Sequence, residues 1–267
     1  LYTVREPLAQ EPERVLRELA AIGCRFVEGR LTQLEQHLPL LAELEMPWVS
    51  WMIDTPLVTG NWDIWDQMMA GRGQPLERST LDETIETAAK HGVENVGISY
   101  TLPQEREGPD AWKRIAEKCN QAGGACKKAG LQFYFHNHAE EFVGEPGAQP
   151  FDLLLAELDP QLVHFEIDVF WVSIAGADPA EAIRRAGGRV LSLHLKDKAA
   201  GTEDVETVFS APRDAFMEVG AGVIDWPGVL AAAEEAGVER LFVEQDQTPG
   251  DPLASVRQSF EYLKGLG

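Results

Sequence analysis

Apolar positions fall into two alternating rhythms along this chain. Short runs rich in Val, Ile, Phe and Trp alternate with longer stretches in which apolar residues recur every three or four positions. The short runs predict eight strands: Leu1 to Arg5, Arg25 to Glu28, Trp48 to Ile53, Asn95 to Tyr100, Gln132 to His138, Val163 to Trp171, Val190 to Lys196 and Arg240 to Gln245. A helix candidate follows each. Asp82 ahead of Glu83 and Glu86, Asp110 ahead of Trp112, Asp178-Pro179 and Asp225 with Pro227 are start signals. Glycine marks the ends, in AAIG before Cys24, AKHG before Val93, KKAG before Leu131 and EEAG before Val238. Strand, helix, glycine and strand in this order make parallel βα units, and eight of them close into one α/β barrel domain over residues 1–267.

Parallel strands covered by helices should read as nearly continuous apolar runs, and several of these do not. In Val163 to Trp171 the odd positions are all apolar, while the even ones include His164, Glu166 and Asp168. A period of two sends the odd face to the helices and the even face into the lumen. The same parity turns Ser192, His194 and Lys196 inward opposite Leu191, Leu193 and Leu195, and turns Gln132, Tyr134, His136 and His138 inward opposite Phe133 and Phe135. Phe242, Glu244 and Asp246 share a face in the eighth run.

Two connections are long, Thr55 to Thr80 and Ala199 to Asp225. Both follow strand C-termini, the face on which such barrels carry active sites, where long loops act as lids or substrate walls. Asn61 to Met69 forms a short helix over the mouth or an insertion packed on the rim.

The net charge of −21 disfavours a nucleic-acid partner, whose phosphates are normally met by Lys and Arg. Cys24, Cys119 and Cys126 are odd in number and lack CxxC spacing, so neither a disulfide framework nor a thiolate zinc site is expected. No run reaches the roughly 18 apolar residues of a membrane span, and no signal peptide precedes the fold. LYTVR reads as the second half of a strand whose start is missing, so a removed signal peptide remains the alternative to the expected cytoplasmic location. A homo-oligomer is compatible with this composition. No GxGxxG or GxxxxGK[ST] phosphate cradle occurs.

Four segments place a hard metal ligand at the end of an apolar run: FHNHAEEF around Glu141, HFEIDVFW around Asp168, LSLHLKDK around His194 and LFVEQD around Glu244. Buried carboxylates and imidazoles are costly unless paired. A lone strand histidine is ordinarily a hydrogen-bonded core residue, and a lone Asp168 or Glu244 would pair with Lys or Arg. Their recurrence across half a barrel favours one shared divalent cation.

FHNHAEEF, EIDVFWVSIAGADP, LHLKDK, EVGAGVIDWPGVL and FVEQD, with LYTVRE at the start, resemble the sugar phosphate isomerase/epimerase family of xylose isomerase-like TIM barrels. The resemblance covers essentially the whole chain and is densest from Asn120 to Asp246. It implies a (β/α)8 TIM barrel with one divalent metal (Mn, Mg, Co or Zn) held by Glu141, Asp168, His194 and Glu244. Many relatives carry a Glu at the end of the fifth strand, where this chain has His136. Glu141 in the following loop substitutes, with His136 and His138 as alternatives for that place. Three oxygens and one imidazole suit a hard or borderline ion.

Such a site suits a small-molecule sugar or sugar derivative. Isomerisation and epimerisation both begin with removal of a proton next to a carbonyl, through a metal-stabilised enediolate. Glu244 and Glu141 are the base candidates, His136 and His138 are placed to relay a proton or orient the ligands, and Lys196 is a substrate-oxygen partner or a counter-ion. Glu28, Glu218 and Trp171 are substrate-binding candidates at the rim. A lyase or dehydratase expelling a β-oxygen from an inosose or 3-keto-glycoside is the alternative on the same scaffold. An abasic-site endonuclease is disfavoured by the charge. A non-catalytic binding module would show neither metal nor proton exchange.

Overall fold

The computed structural model describes residues 1–70, 78–108 and 110–266. Seven parallel strands form one sheet in sequential order, curled into a nearly closed barrel: β1 (Val27–Glu28), β2 (Trp48–Met52), β3 (Asn95–Ile98), β4 (Gln132–His136), β5 (Val163–Asp168), β6 (Val190–Leu195) and, after a small excursion, β9 (Arg240–Val243). The excursion is an antiparallel pair, β7 (Asp197–Lys198) with β8 (Phe216–Met217).

Parity explains the core. Phe133, Phe135, Phe165, Ile167, Leu193 and Leu195 are fully buried towards the helices, each contributing about 1.5–3 kcal/mol. Gly97 on β3 matters for the other face. A Cβ there would lie 2.4 Å from the Tyr134 ring, so only glycine lets that ring lie across the lumen.

The expected first strand, Leu1 to Arg5, is corrected by the structure. Thr3 and Val4 form a turn and Arg5–Gln10 is a helix. Pro7 has no N–H to give a ladder, and the Leu8 N–H donates to the Val4 carbonyl at 2.8 Å, closing a helical turn instead. The segment still bridges the gap between β1 and β9. The Leu1 amine donates to the Glu28 carbonyl at 2.6 Å, and the Gln245 N–H donates to Thr3 Oγ1 at 2.9 Å.

The sixth predicted run, Val163 to Trp171, also ends earlier than expected. β5 stops at Asp168, which caps the helix Val169–Ile174, its Oδ1 accepting the N–H groups of Phe170 and Trp171 at 3.0 and 3.1 Å. Trp171 is therefore helical rather than a strand-end residue. The helix Leu81–Lys90 is capped by Thr80 in a capping box with Glu83, not by Asp82. Asp178 and Asp225 cap their helices as the sequence predicts.

Of the long connections, Asn61 to Met69 is almost entirely helical (Trp62–Ala70), and the rest of that loop falls partly on residues 71–77, outside the described residues. Buried Glu105 ties this segment down by accepting from Thr59 Oγ1, Asn61 Nδ2, Trp65 Nε1 and the Leu102 N–H. The second connection carries the β7–β8 pair and two short 3-10 turns, Val208–Ser210 and Arg213–Ala215. No helix among the described residues is long and apolar enough to cross a membrane.

Candidate functional site

Strand register brings the polar residues together. His136 stands beside Glu166, Glu166 beside Ser192, and Asp168 beside His194. Glu28, His136 and Asp168 each close their strands, His194 is next to last in β6, and Glu244 directly follows β9. All therefore meet at the C-terminal end of the lumen.

The floor of this cluster is hydrogen-bonded throughout. Glu28 Oε2 accepts from Ser50 Oγ at 2.6 Å and from Tyr134 Oη at 2.9 Å. Glu166 Oε1 accepts from Ser192 Oγ at 2.6 Å, and its Oε2 is bonded to His136 Nδ1 at 3.0 Å. Above the floor, His194 Nδ1 is 2.6 Å from Glu244 Oε2, and His194 Nε2 lies 2.9 Å from Glu28 Oε1 and 3.2 Å from Glu166 Oε2. Lys196 Nζ stands 2.8 Å from Asp168 Oδ2, Glu244 Oε2 and Asp246 Oδ2 alike.

Charge here is unbalanced. Among the described residues, Asp168, Glu244 and Asp246 meet the Lys196 ammonium directly, whereas Glu28 and Glu166 meet His194 instead. Burial works against the ammonium, but Asp168, Asp246 and Glu244 overcome it and hold Lys196 well above its ordinary pKa. Burial likewise opposes charge on His194, yet Glu166, Glu244 and Glu28 together raise it well above the usual histidine range. Burial alone would raise Glu244, and Lys196 and His194 pull it well below the carboxylate range. Asp246 moves the other way. Burial and the neighbouring Glu244 and Asp168 outweigh Lys196 and raise it, because one ammonium cannot satisfy three carboxylates.

A divalent cation fits this deficit. His136, Asp168 and His194 offer ligand atoms within 4.8 Å of one another, as do Glu28, Glu166 and His194. In the first group Asp168 Oδ2 lies 3.8 Å from His136 Nε2 and 3.9 Å from His194 Nδ1. Donors each about 2.0–2.2 Å from one ion stand at up to roughly this separation. Asp168 Oδ2 is buried without an aligned hydrogen bond, even though Lys196 is near, and His194 Nε2 is in the same state. Orphaned polar atoms of this kind ask for an explanation, and a bound ion is one.

Glu141 does not join either group. It lies in the 3-10 turn Glu140–Phe142, five positions beyond the last residue of β4, and its Oε2 accepts the His138 N–H at 2.7 Å. Burial, then repulsion from Glu140, pushes its carboxyl up to about 8. His136 occupies the fifth-run place in the cluster. His138 packs its ring against those of His136 (5.0 Å between centroids), Trp171 (5.3 Å) and Tyr100 (5.6 Å), and its buried Nδ1 has no hydrogen-bond partner. Desolvation, with His136 and Lys196 nearby, holds it well below the ordinary histidine pKa. Trp171 sits beside this ring, buried among Phe170 and Phe216. Glu28 is in the cluster, whereas Glu218 lies elsewhere, accepting from Ser255 Oγ at 2.6 Å.

Sequence reading passed over Glu166 and Asp246 as site residues, and Ser50 entirely. The first two had a usable signal, since each lies two positions from a singled-out ligand on the same strand face. Ser50 had none.

This arrangement of strands and polar ends has parallels among known proteins. The crystal structure of a sugar phosphate isomerase/epimerase from Parabacteroides distasonis ATCC 8503 superposes with a TM-score of 0.74 at 23% identity, over 98% of this chain and 91% of that one. That of the IOLI protein with a binding zinc atom superposes at 0.69 and 14% identity, over 94% and 91%. In sequence, 220 residues are 26% identical to the inosose dehydratase of Geobacillus kaustophilus (strain HTA426), 71% of this chain and 71% of that protein. The family model of the xylose isomerase-like TIM barrel matches residues 16–266, nearly the whole chain, and the protein belongs to that family.

Proposed function

We propose that the protein is a divalent-metal-dependent lyase that dehydrates a keto-sugar or inosose-like substrate by removing the proton next to its carbonyl. The observation that carries this reading is the meeting of His136, Asp168 and His194 beside Glu244 and Lys196 at the barrel mouth. Those first three residues and Glu244 would hold the ion. When bound there, a divalent cation supplies Lewis-acid stabilisation of the negative charge that develops on the substrate oxygens.

The remaining steps fall to the chain's own side chains. With His136 in the cluster and Glu141 tied to the backbone of His138, His138 is the residue of its segment left to move protons, and its Nδ1 has no competing partner. It takes the proton from the carbon beside the carbonyl, and the enediolate that results faces the Lys196 ammonium. The β-hydroxyl then leaves, receiving that same proton from His138, so that substrate becomes an unsaturated ketone plus water. One residue working as base and then as acid contributes on the order of 10² to 10⁴ in rate. Trp171 and Tyr100, packed on the His138 ring, fix its orientation.

The dehydratase named among the relatives supports elimination over the alternatives. Isomerisation or epimerisation, the activity in the name of the Parabacteroides protein, is the second reading. It begins with the same proton transfer but wants an acid-base group on the opposite face of the carbon, a place for which Glu141 is the sequence candidate. The protein is to be loaded with Mn²⁺, Co²⁺ or Zn²⁺ in turn and incubated in D₂O with ketoses, inososes and 3-keto-glycosides, following products by NMR. A product lighter by one water is the expected result. Deuterium in a new stereoisomer without loss of water would replace this reading by the second, and no exchange on any substrate would overturn both.

A further inference from the structure

Glu166 is as fully enclosed as Asp168, and the metal reading gives it no ligand role. It is fully buried, two positions before Asp168 on the same strand face. Its two oxygens do different things. Oε1 accepts from Ser192 Oγ at 2.6 Å, which fixes the carboxylate plane from the neighbouring strand. Oε2 meets His136 Nδ1 at 3.0 Å and also lies 3.2 Å from His194 Nε2. Because an ionised carboxylate can only accept, the bond to His136 requires the hydrogen to be on Nδ1. The lone pair of His136 is then on Nε2, the nitrogen that faces Asp168 Oδ2 at 3.8 Å.

We propose that Glu166, held by Ser192, is a positioning residue that sets the tautomer and ring direction of His136 and so presents its Nε2 lone pair to the cation site. This rests on the metal reading above. A histidine without such a partner has two tautomers and a ring free to turn, and only one of those states can donate Nε2 to an ion. Removing a partner of this kind ordinarily weakens metal binding by about 10- to 100-fold. The rival role for Glu166 is that of a ligand itself, in the second group of donors with Glu28 and His194.

The test uses Co²⁺, whose visible absorption reports its ligand geometry, titrated into the whole chain and into Glu166→Leu, Glu166→Gln and His136→Ala. Glu166→Leu keeps the volume and removes the acceptor, whereas Glu166→Gln keeps an acceptor oxygen. The expected result is one ion per wild-type chain, affinity lower by about 10- to 100-fold with an altered spectrum in Glu166→Leu, and affinity largely restored in Glu166→Gln. In the His136→Ala background, Glu166→Leu should cause no further loss. Unchanged affinity and spectrum in Glu166→Leu overturn the proposal while leaving the metal site standing. Equal losses in Glu166→Leu and Glu166→Gln, or a full further loss in the His136→Ala background, overturn it as well. Two ions per wild-type chain with one missing in Glu166→Leu would make Glu166 a ligand instead. A wild-type chain that takes up no Co²⁺, Mn²⁺ or Zn²⁺ overturns the metal reading itself, and this proposal with it.

Discussion

Lys196 Nζ lies 2.8 Å from Glu244 Oε2, and it keeps the same distance to Asp168 and Asp246. The lysine is thus the resident counter-ion of a site that also suits a divalent cation. Replacing it by Met leaves three carboxylates crowded together without their ammonium. Removing one partner of a buried ion pair costs about 3–5 kcal/mol, and Lys196→Met should lose this much in urea unfolding with chelator present. Added Mn²⁺ or Zn²⁺ should restore part of the loss. Identical stability of mutant and wild type in chelator would mean that the carboxylates share protons rather than the lysine.

Glu141 makes a prediction about pH. Its carboxyl is raised from the ordinary 4.5 to about 8 by burial and by Glu140, so the folded chain holds a proton that the unfolded chain releases above about pH 4.5. Stability from this group is complete below that value and is lost as the pH rises through 8. Glu141→Gln, which still accepts from the His138 N–H, should flatten the decline in unfolding free energy between pH 5 and 8 and exceed wild type at pH 8. One pKa unit corresponds to about 1.4 kcal/mol, so the difference is readily measured in chelator. Parallel pH profiles for the two proteins would show that the Glu141 carboxyl is ionised in the fold.

How far the site could be read in advance depended on whether a residue's position was set by strand parity. Asp168, His194 and Lys196 lie on regular strands or at their ends, where alternation alone fixes the face, and the lumen contacts follow from it. Asn137 to Glu141 lie past the end of β4, where parity no longer applies, and the path of the turn decided that His136 and not Glu141 joins the cluster. Leu1 to Arg5 carried a strand-like composition, but Pro7 two positions on pulled it into a helix. Ser50 became part of the floor through contacts with Glu28 and Tyr134, from strands remote in sequence, and its own run of the chain says nothing of them.

Metal retention separates His136 from Glu141 as the ligand supplied by FHNHAEEF. Purified variants dialysed against chelator, reloaded and desalted should show that Asp168→Ala, His194→Ala and His136→Ala each bind at least tenfold more weakly than wild type, since each loses one of the clustered donors. Glu141→Ala should retain the ion. Full occupancy in His136→Ala together with loss in Glu141→Ala would move the fifth-run ligand back into the loop.

Asp197 holds the loop that closes the wall after β8, and its removal should be costly because its carboxylate serves five donors in and beside that loop. Its Oδ1 accepts the N–H groups of Lys198 and Ile224, and its Oδ2 those of Gly220 and Gly222 together with Trp226 Nε1 at 2.7 Å. The backbone approaches so closely that a Cβ on Gly222 would lie 2.3 Å from the Lys198 carbonyl oxygen and 2.4 Å from Asp197 Oδ1. In Asp197→Asn one of the two oxygens becomes an NH₂ group, which faces donors whichever way the amide is turned. At least two donors then lose their acceptor, at about 1–3 kcal/mol each, so the variant should be destabilised by roughly 2–6 kcal/mol in denaturant unfolding. The amides of residues 220–224 should exchange with solvent faster than the rest of the chain, and fluorescence from Trp226 should shift before global unfolding. A variant of wild-type stability with those amides still protected would show that the loop is held by its own packing rather than by this carboxylate.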